Sequence, residues 1–191
     1  KRPFNSYVKS KTKTKHNVGP LKVNNVLVTE NEDMAKELNT FFSSVFTREA
    51  PGPLPHCPKL PSHSILEDMW IDSDTVKKKI LKLKPSSAPG PDKMTARFLI
   101  MNVEALAPAL AIIYNESLQT GVVTEDWRRA NVTPIFKKGS KANPGNYRPV
   151  SLTSIPCKVM ESCIKDAITD HLVNNQLIRD SQHGFMQHKS T

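Results

Sequence analysis

The sequence predicts an α+β, helix-dominant fold, on three observations: several segments with apolar residues at helical spacing, two pairs of short β-prone runs, and capping or turn residues between them. Leu21-Lys22-Val23 and Val26-Leu27-Val28 flank Asn24-Asn25, a pair that tolerates the positive φ of a tight turn, so a small hairpin is expected. Thr29 with Glu32 reads as a capping box that starts a helix, whose apolar stripe is Met34, Leu38, Phe41, Phe42 and Val45. Five prolines between Pro51 and Pro61 fix φ and remove amide donors, the composition of a linker. Ser73-Asp74 then caps a helix with Val76, Ile80, Leu81 and Leu83 inward and Lys77, Lys78, Lys79, Lys82 and Lys84 outward, ended by Pro85.

A helical stretch follows over 95–102, and another over 104–120, with Pro108 near its first turn and Gly121 as its stop. Thr124 caps a short turn around Trp127. Strands over 132–136 and 148–152 are joined by the basic loop 137–146. From Pro156, Met160, Ile164, Ile168 and Leu172 recur every fourth position beside Val159, Cys163 and Ala167, the pattern of a long helix.

The chain has 191 residues, enough for one domain or two small ones; 38% hydrophobic content and 15 prolines point to a packed part and a loose part. Three stretches are expected: 1–50, a basic segment with hairpin and helix; 51–70, a proline-rich linker; and 71–191, the packed remainder. The formal charge of +9 favours a polyanionic partner, nucleic acid or anionic lipid. The excess is concentrated at Lys1, Arg2, Lys9, Lys11, Lys13, Lys15 and Lys22, a tract without an acid. Three cysteines without a C-x-x-C fit a reducing compartment, nucleus or cytoplasm, better than a disulfide framework. The longest apolar run, 105–114, is about half a membrane span, so no membrane partner is expected.

Lys137, Lys138 and Lys141 crowd the loop, with Arg148 on the returning strand; composition leaves a solvated charged loop and a phosphate site both open. Asp166 and Asp170 share a helix face, where a solvated pair is the plainer reading. His56, Cys57 and His63, or His183 and His188, do not supply four ligands at structural zinc spacing, and no metal site is assigned. Cys157 and Cys163 belong to the apolar side of their helix, Trp70 and Trp127 read as core anchors, and the lysines at 77–84 read as an exposed face, with phosphate contact the minority alternative.

The run Ala130 to Gly139, followed by Pro144-Gly145-Asn146-Tyr147-Arg148-Pro149-Val150-Ser151-Leu152-Thr153-Ser154, resembles the fingers motif of non-LTR (LINE-type) retrotransposon reverse transcriptases. Ser87-Ala88-Pro89-Gly90-Pro91-Asp92 resembles the first motif of that family, and Gln182-His183-Gly184-Phe185 with Lys189-Ser190-Thr191 the block after the fingers. Val18-Gly19-Pro20-Leu21, Val28-Thr29 and Leu38-Asn39-Thr40-Phe41-Phe42 are similar to the segment before the polymerase core in the jockey and chicken-repeat branch. The resemblance implies a fingers subdomain in 71–191, truncated before the catalytic palm motifs, in a fragment of an RNA-directed DNA polymerase.

It further implies that Lys137 sits near the triphosphate of an incoming deoxynucleotide and that Arg148 contacts its phosphates and flanks its base. Gly90 and Asp92 would shape a loop near template, and Gln182, Gly184 and Phe185 would line the template path, with Lys189, Lys138 and Lys141 as further nucleic-acid contacts. Two departures stand out: Lys93 replaces the usual glycine after Pro-Gly-Pro-Asp, a change expected to stiffen that loop, and His188 replaces glycine before Lys189. The implied partners are RNA, primer–template and deoxynucleotide triphosphate. Two-metal nucleotidyl transfer needs clustered carboxylates, and the sequence has no Asp-Asp pair. No catalytic residue is therefore assigned, magnesium is expected only in a complete polymerase, and the chain alone is expected to be inactive. A stand-alone RNA-binding protein, or an inactive remnant of such an element, are the alternative readings.

If the basic tract binds nucleic acid, affinity must fall steeply with salt, because each neutralised phosphate releases condensed counterion. Seven single-strand contacts by those seven residues correspond to a log–log slope of roughly −5. A titration of RNA binding against salt checks this, and a flat dependence would remove the electrostatic reading.

Overall fold

The computed structural model describes residues 18–47, 52–53, 65–66, 68–178 and 182. The basic residues 1–15, the linker prolines 51, 55, 58 and 61, and Gly184, Phe185, His188 and Lys189 lie outside the described residues. Among the described residues the architecture is α+β and helix-dominant, with two two-stranded sheets. The strands are β1 Leu21–Val23, β2 Val26–Val28, β3 Ala130–Phe136 and β4 Tyr147–Thr153; the helices are α1 Asn31–Ser44, α2 Ser73–Leu81, α3 Ala96–Met101, α4 Val103–Thr120 and α5 Ile155–Asn174. Single 3-10 turns cover Glu125–Arg128 and Pro144–Asn146. The chain divides into two compact units, one comprising the leading segment to Gly52 with Val132–Ser151, the other Pro53–Asn131 with Leu152 onward.

In the first unit β1 and β2 pair antiparallel, Leu21 opposite Val28 and Val23 opposite Val26. Asn24 and Asn25 both take positive φ, 49° and 64°, the turn expected of a two-residue hairpin because its twist matches that of the strands. α1 buries Met34, Leu38 and Phe42 against Leu21 and Tyr147, with Val18, Val23, Val28 and Phe41 partly covered around them. The capping box does not form. Glu30, not Thr29, is the N-cap, and it makes no side-chain cap bond; Glu32 instead pairs with Lys36 one turn on, at 2.8 Å. Val45 follows the helix as its C-cap and is exposed, so the stripe ends at Phe42.

The second unit is built on α2, α4 and α5, whose Val76, Ile80, Leu110, Tyr114, Val159 and Met160 belong to one apolar core with Leu99 of α3. The α2 cap is Asp72, one residue before the expected pair: its carboxylate accepts from the Thr75 N–H at 2.7 Å and from the Thr75 hydroxyl at 2.8 Å, which holds its pKa below the usual value. Leu81 is exposed, because Ile80 and Val76 already take the inward positions. Thr95 caps α3 by accepting from Phe98 N–H, and Gly121 ends α4 at φ +69° as its position requires. Pro108 lies in the second turn of α4 rather than the first. Asn115, on the buried face of α4, both accepts from the Ile71 N–H (2.9 Å) and donates to the Ile71 carbonyl (2.8 Å), tying down the chain that enters α2.

Trp127 packs on Tyr114 with ring centroids 5.7 Å apart, as an anchor should, whereas Trp70 is 69% exposed and anchors nothing. On α5 the stripe is buried only in its first half: Val159, Met160 and Cys163 are covered, Ile164 is partly covered, and Ile168 is exposed. Asp166 is not a free solvated acid, since it pairs with Lys79 of α2, whose Nζ also bonds the Ser162 hydroxyl at 3.0 Å. That bond holds the Asp166 carboxyl below its ordinary value.

Burial pushes the Cys157 thiol up to about 11 and raises Cys163 and the Tyr114 phenol, whose hydroxyl donates to the Pro156 carbonyl at 2.7 Å. For an acid with a folded pKa above its unfolded one, stability is full below the unfolded value and is lost as pH rises towards the folded value. Denaturant unfolding is therefore expected to show stability falling between pH 9 and 11. Cys157→Ala should remove about 1 to 2 kcal/mol of that fall, solvent screening allowed for. An unchanged slope in the variant would show that Cys157 titrates as in the unfolded chain.

Candidate functional site

The loop between β3 and β4 is short of apolar residues, so its shape comes from hydrogen bonds and from what lies beneath it. The Lys137 N–H donates to the Asn146 carbonyl at 2.8 Å and closes the loop at its base. Within it, the Asn143 carboxamide oxygen accepts from the Gly145 N–H at 2.8 Å, and the Asn146 amide donates to the Ser140 carbonyl at 2.9 Å. Gly139 sits at φ +85°, the left-handed region that favours glycine, and a Cβ there would stand 2.7 Å from the Asn146 amide nitrogen and displace that side chain.

Two bonds hold this loop from outside. The Lys22 N–H of β1 donates to the Ala142 carbonyl at 2.7 Å, and the Tyr147 hydroxyl donates to the Lys141 carbonyl at 2.7 Å. The Tyr147 ring is buried in the α1 core and meets Phe136 edge-on at 5.6 Å. On this frame Lys137, Lys138, Lys141 and Arg148 are all exposed. The Lys141 ammonium stands 5.7 Å over the Phe136 ring, a cation–π contact; among the described residues, Lys137, Lys138 and Arg148 have no ion-pair partner. The arrangement is a set of exposed cationic side chains on a hydrogen-bonded backbone, suited to phosphate oxygens, with Arg148 adding a planar fork.

The first-motif loop is in the other unit. Gly90 is buried, and a Cβ on it would lie 2.5 Å from the Ser154 nitrogen and 2.6 Å from the Thr153 carbonyl carbon, so this position admits no side chain. The Gly90 carbonyl accepts from the Lys93 N–H at 3.1 Å, and the Asp92 Oδ1 from the Met94 N–H at 3.2 Å. Asp92 Oδ2 is buried without a partner in the structure. Lys93 takes φ +58°, the left-handed conformation that favours glycine. Lysine adopts this turn at a cost that glycine would not incur. Gln182 is exposed.

Tyr147, Asn146 and Lys22 were not selected from the sequence as site residues, although they shape the loop. The signal for Asn146 was its place within the Gly- and Pro-rich tip, whereas the role of Lys22 is a main-chain bond that no side-chain pattern reveals. For magnesium, the donor set does not fit: among the described residues no three His, Cys, Asp or Glu side chains converge, Asp166 is bound to Lys79, and Asp92 lies in a turn. No step through a metal is derived for these residues. No helix among the described residues is long and apolar enough to cross a membrane.

Comparison with known proteins bears on this geometry. The chain is 35% identical over 115 residues to the probable RNA-directed DNA polymerase from transposon BS of Drosophila melanogaster, an alignment covering 59% of this chain. It is 31% identical over 120 residues, 62% of this chain, to the RNA-directed DNA polymerase from mobile element jockey of the same fly. The chain is a homologue of non-LTR retrotransposon RNA-directed DNA polymerases. A wider match, 25% identical over 157 residues or 81% of this chain, is to the putative 115 kDa protein in the type-1 retrotransposable element R1DM. The alignments span only 12–14% of these relatives' own lengths. No protein-family model matches the chain.

The strain at Lys93 has a measurable consequence. Lys93→Gly relieves a left-handed non-glycine residue and is expected to stabilise the fold by about 0.5–1 kcal/mol, after the entropy that glycine loses on folding. In a chain of this size that raises the thermal midpoint by roughly 2 °C. A lowered midpoint would show that the Lys93 side chain contributes more than its dihedral costs.

Proposed function

We propose that this chain serves as the fingers portion of a LINE-type reverse transcriptase, where it binds the incoming deoxynucleotide and the RNA template but does not itself catalyse. The observation that carries the reading is the tip loop. Lys137, Lys138 and Arg148 stay exposed and unpaired among the described residues, on a backbone anchored at the Ala142 and Lys141 carbonyls. A loop evolved only for solubility has no need of that anchoring, whereas a phosphate clamp gains by spending little entropy on its backbone when ligand arrives. The homology to RNA-directed DNA polymerases supplies the ligand class: polyphosphate of a nucleotide for Lys137 and Arg148, nucleic-acid backbone for Lys138 and Lys141.

Gly90 and Asp92 act in this reading through the shape of their turn, near template. Gln182, Gly184, Phe185 and Lys189 continue the template path on the strength of the motif resemblance. Nucleotidyl transfer needs carboxylates for two metal ions, and these are assigned to a complete polymerase rather than to this chain.

In a complete polymerase carrying this sequence, Lys137→Ala and Arg148→Ala should each raise the KM for deoxynucleotide by roughly tenfold or more, the loss of a charge-assisted bond worth about 1.5–3 kcal/mol. RNA binding by the 191-residue chain should change by less than about twofold for either variant, since a single phosphate contact is one of many. Equal losses in both assays would remove the assignment to the nucleotide. Magnesium-dependent primer extension by the purified chain alone would overturn the division of labour.

A further inference from the structure

Between Lys77 and Lys84 the sequence places five lysines in eight residues. They are not equivalent in the structure. Lys77 pairs with Glu104 of α4, and Lys79, only 17% exposed at its side chain, is bound to Asp166 and Ser162 of α5. These two are fixtures of the helix packing. Lys78, Lys82 and Lys84 are exposed, and among the described residues none of them forms an ion pair.

Lys78 and Lys82 stand one turn apart, a like-charge i,i+4 relation that destabilises a helix slightly. α5 carries Lys158 and Lys165 against Glu161, Asp166 and Asp170, so the positive face it shares with α2 is local to Lys165. Lys165 is exposed beside Asp166, and Asp166 feels Lys82 and Lys165 in addition to its bonded partner Lys79. Lys79 already satisfies the Asp166 carboxylate, and among the described residues neither Lys82 nor Lys165 has an ion-pair partner.

We propose that the ridge formed by α2 and α5 is a second nucleic-acid surface, in which Lys82 and Lys165, with Lys78 and Lys84 alongside, contact successive phosphates of an RNA strand. The inference rests on the reading that the chain binds nucleic acid, and it concerns a unit that does not include the tip loop. Its chemistry is that of point charges on flexible stems, which follow a phosphodiester backbone without reading bases. The lysines held in ion pairs are excluded from this role and those without partners carry it, so the two sets can be separated by experiment.

Binding of a fluorescein-labelled 20-nucleotide RNA to the 191-residue chain would be followed by anisotropy from 0.05 to 0.5 M salt. The test variant is Lys82→Gln with Lys165→Gln, and the control, Lys36→Gln with Lys77→Gln, makes the same change in net charge at two ion-paired lysines. The test variant should make the log–log slope shallower by about 1.4, two single-strand contacts, and weaken binding roughly tenfold at low salt. The control should leave the slope within about 0.4 of the wild-type value, less than one contact. DNA of the same sequence should show the same loss, because the contact is to phosphate. Equal shifts in test and control would show that only net charge matters and would overturn the proposal, as would a test variant that binds like wild type while retaining its thermal midpoint. Loss of binding to vesicles rich in phosphatidylserine, with RNA binding intact, would assign the ridge to lipid and overturn it too. If the wild-type chain fails to bind RNA at all, this inference and the reading beneath it both fall.

Discussion

The approach of Gly90 to the backbone of Thr153 and Ser154 is the constraint on which the second unit depends. At that junction β4 ends and α5 begins, and the Ser154 hydroxyl, fully buried, accepts from the Cys157 N–H to cap the helix. Two residues past that cap, the Pro156 carbonyl receives the Tyr114 hydroxyl, which fixes α4 against α5. A side chain at position 90 would force the first-motif loop off this junction, and the cap and the interhelical bond lie within three residues of it. Position 90 of this chain therefore has a structural reason to be glycine.

The leading segment has a comparable dependence on Tyr147. Its ring completes the small core under α1, and its hydroxyl fastens the loop that carries the candidate phosphate ligands. One residue thus joins the packing of a modest hydrophobic cluster to the shape of a charged loop. Phenylalanine at this position would keep the first and lose the second.

Much of the fold was legible because its signals are local. The Asn24-Asn25 turn, the Gly121 stop and the Pro156 start each follow from what one or two residues allow at φ, and all three occur where expected. What was not legible depends on partners distant in sequence. Glu32 had two possible bonds, back to the helix start or forward to Lys36, and it takes Lys36, while the N-cap is Glu30. Trp70 and Trp127 are the same residue type, yet among the described residues Trp127 meets the Tyr114 ring while Trp70 is largely exposed. In the candidate site, Lys137 and Arg148 were nominated by the motif and are exposed, while the bonds from Lys22 and Tyr147 that hold the loop were invisible because both end on main-chain carbonyls.

The way the tip loop is fastened also bears on its dynamics. Its outer bonds run to β1 and to a tyrosine embedded in the α1 cluster, so the loop shares its stabilising contacts with the whole leading segment. Segments joined in this manner open together as one cooperative unit instead of fraying separately. The amide protons of residues 143 and 146 would then exchange with solvent on the same schedule as those of α1, and the loop would remain ordered for as long as that helix stays folded.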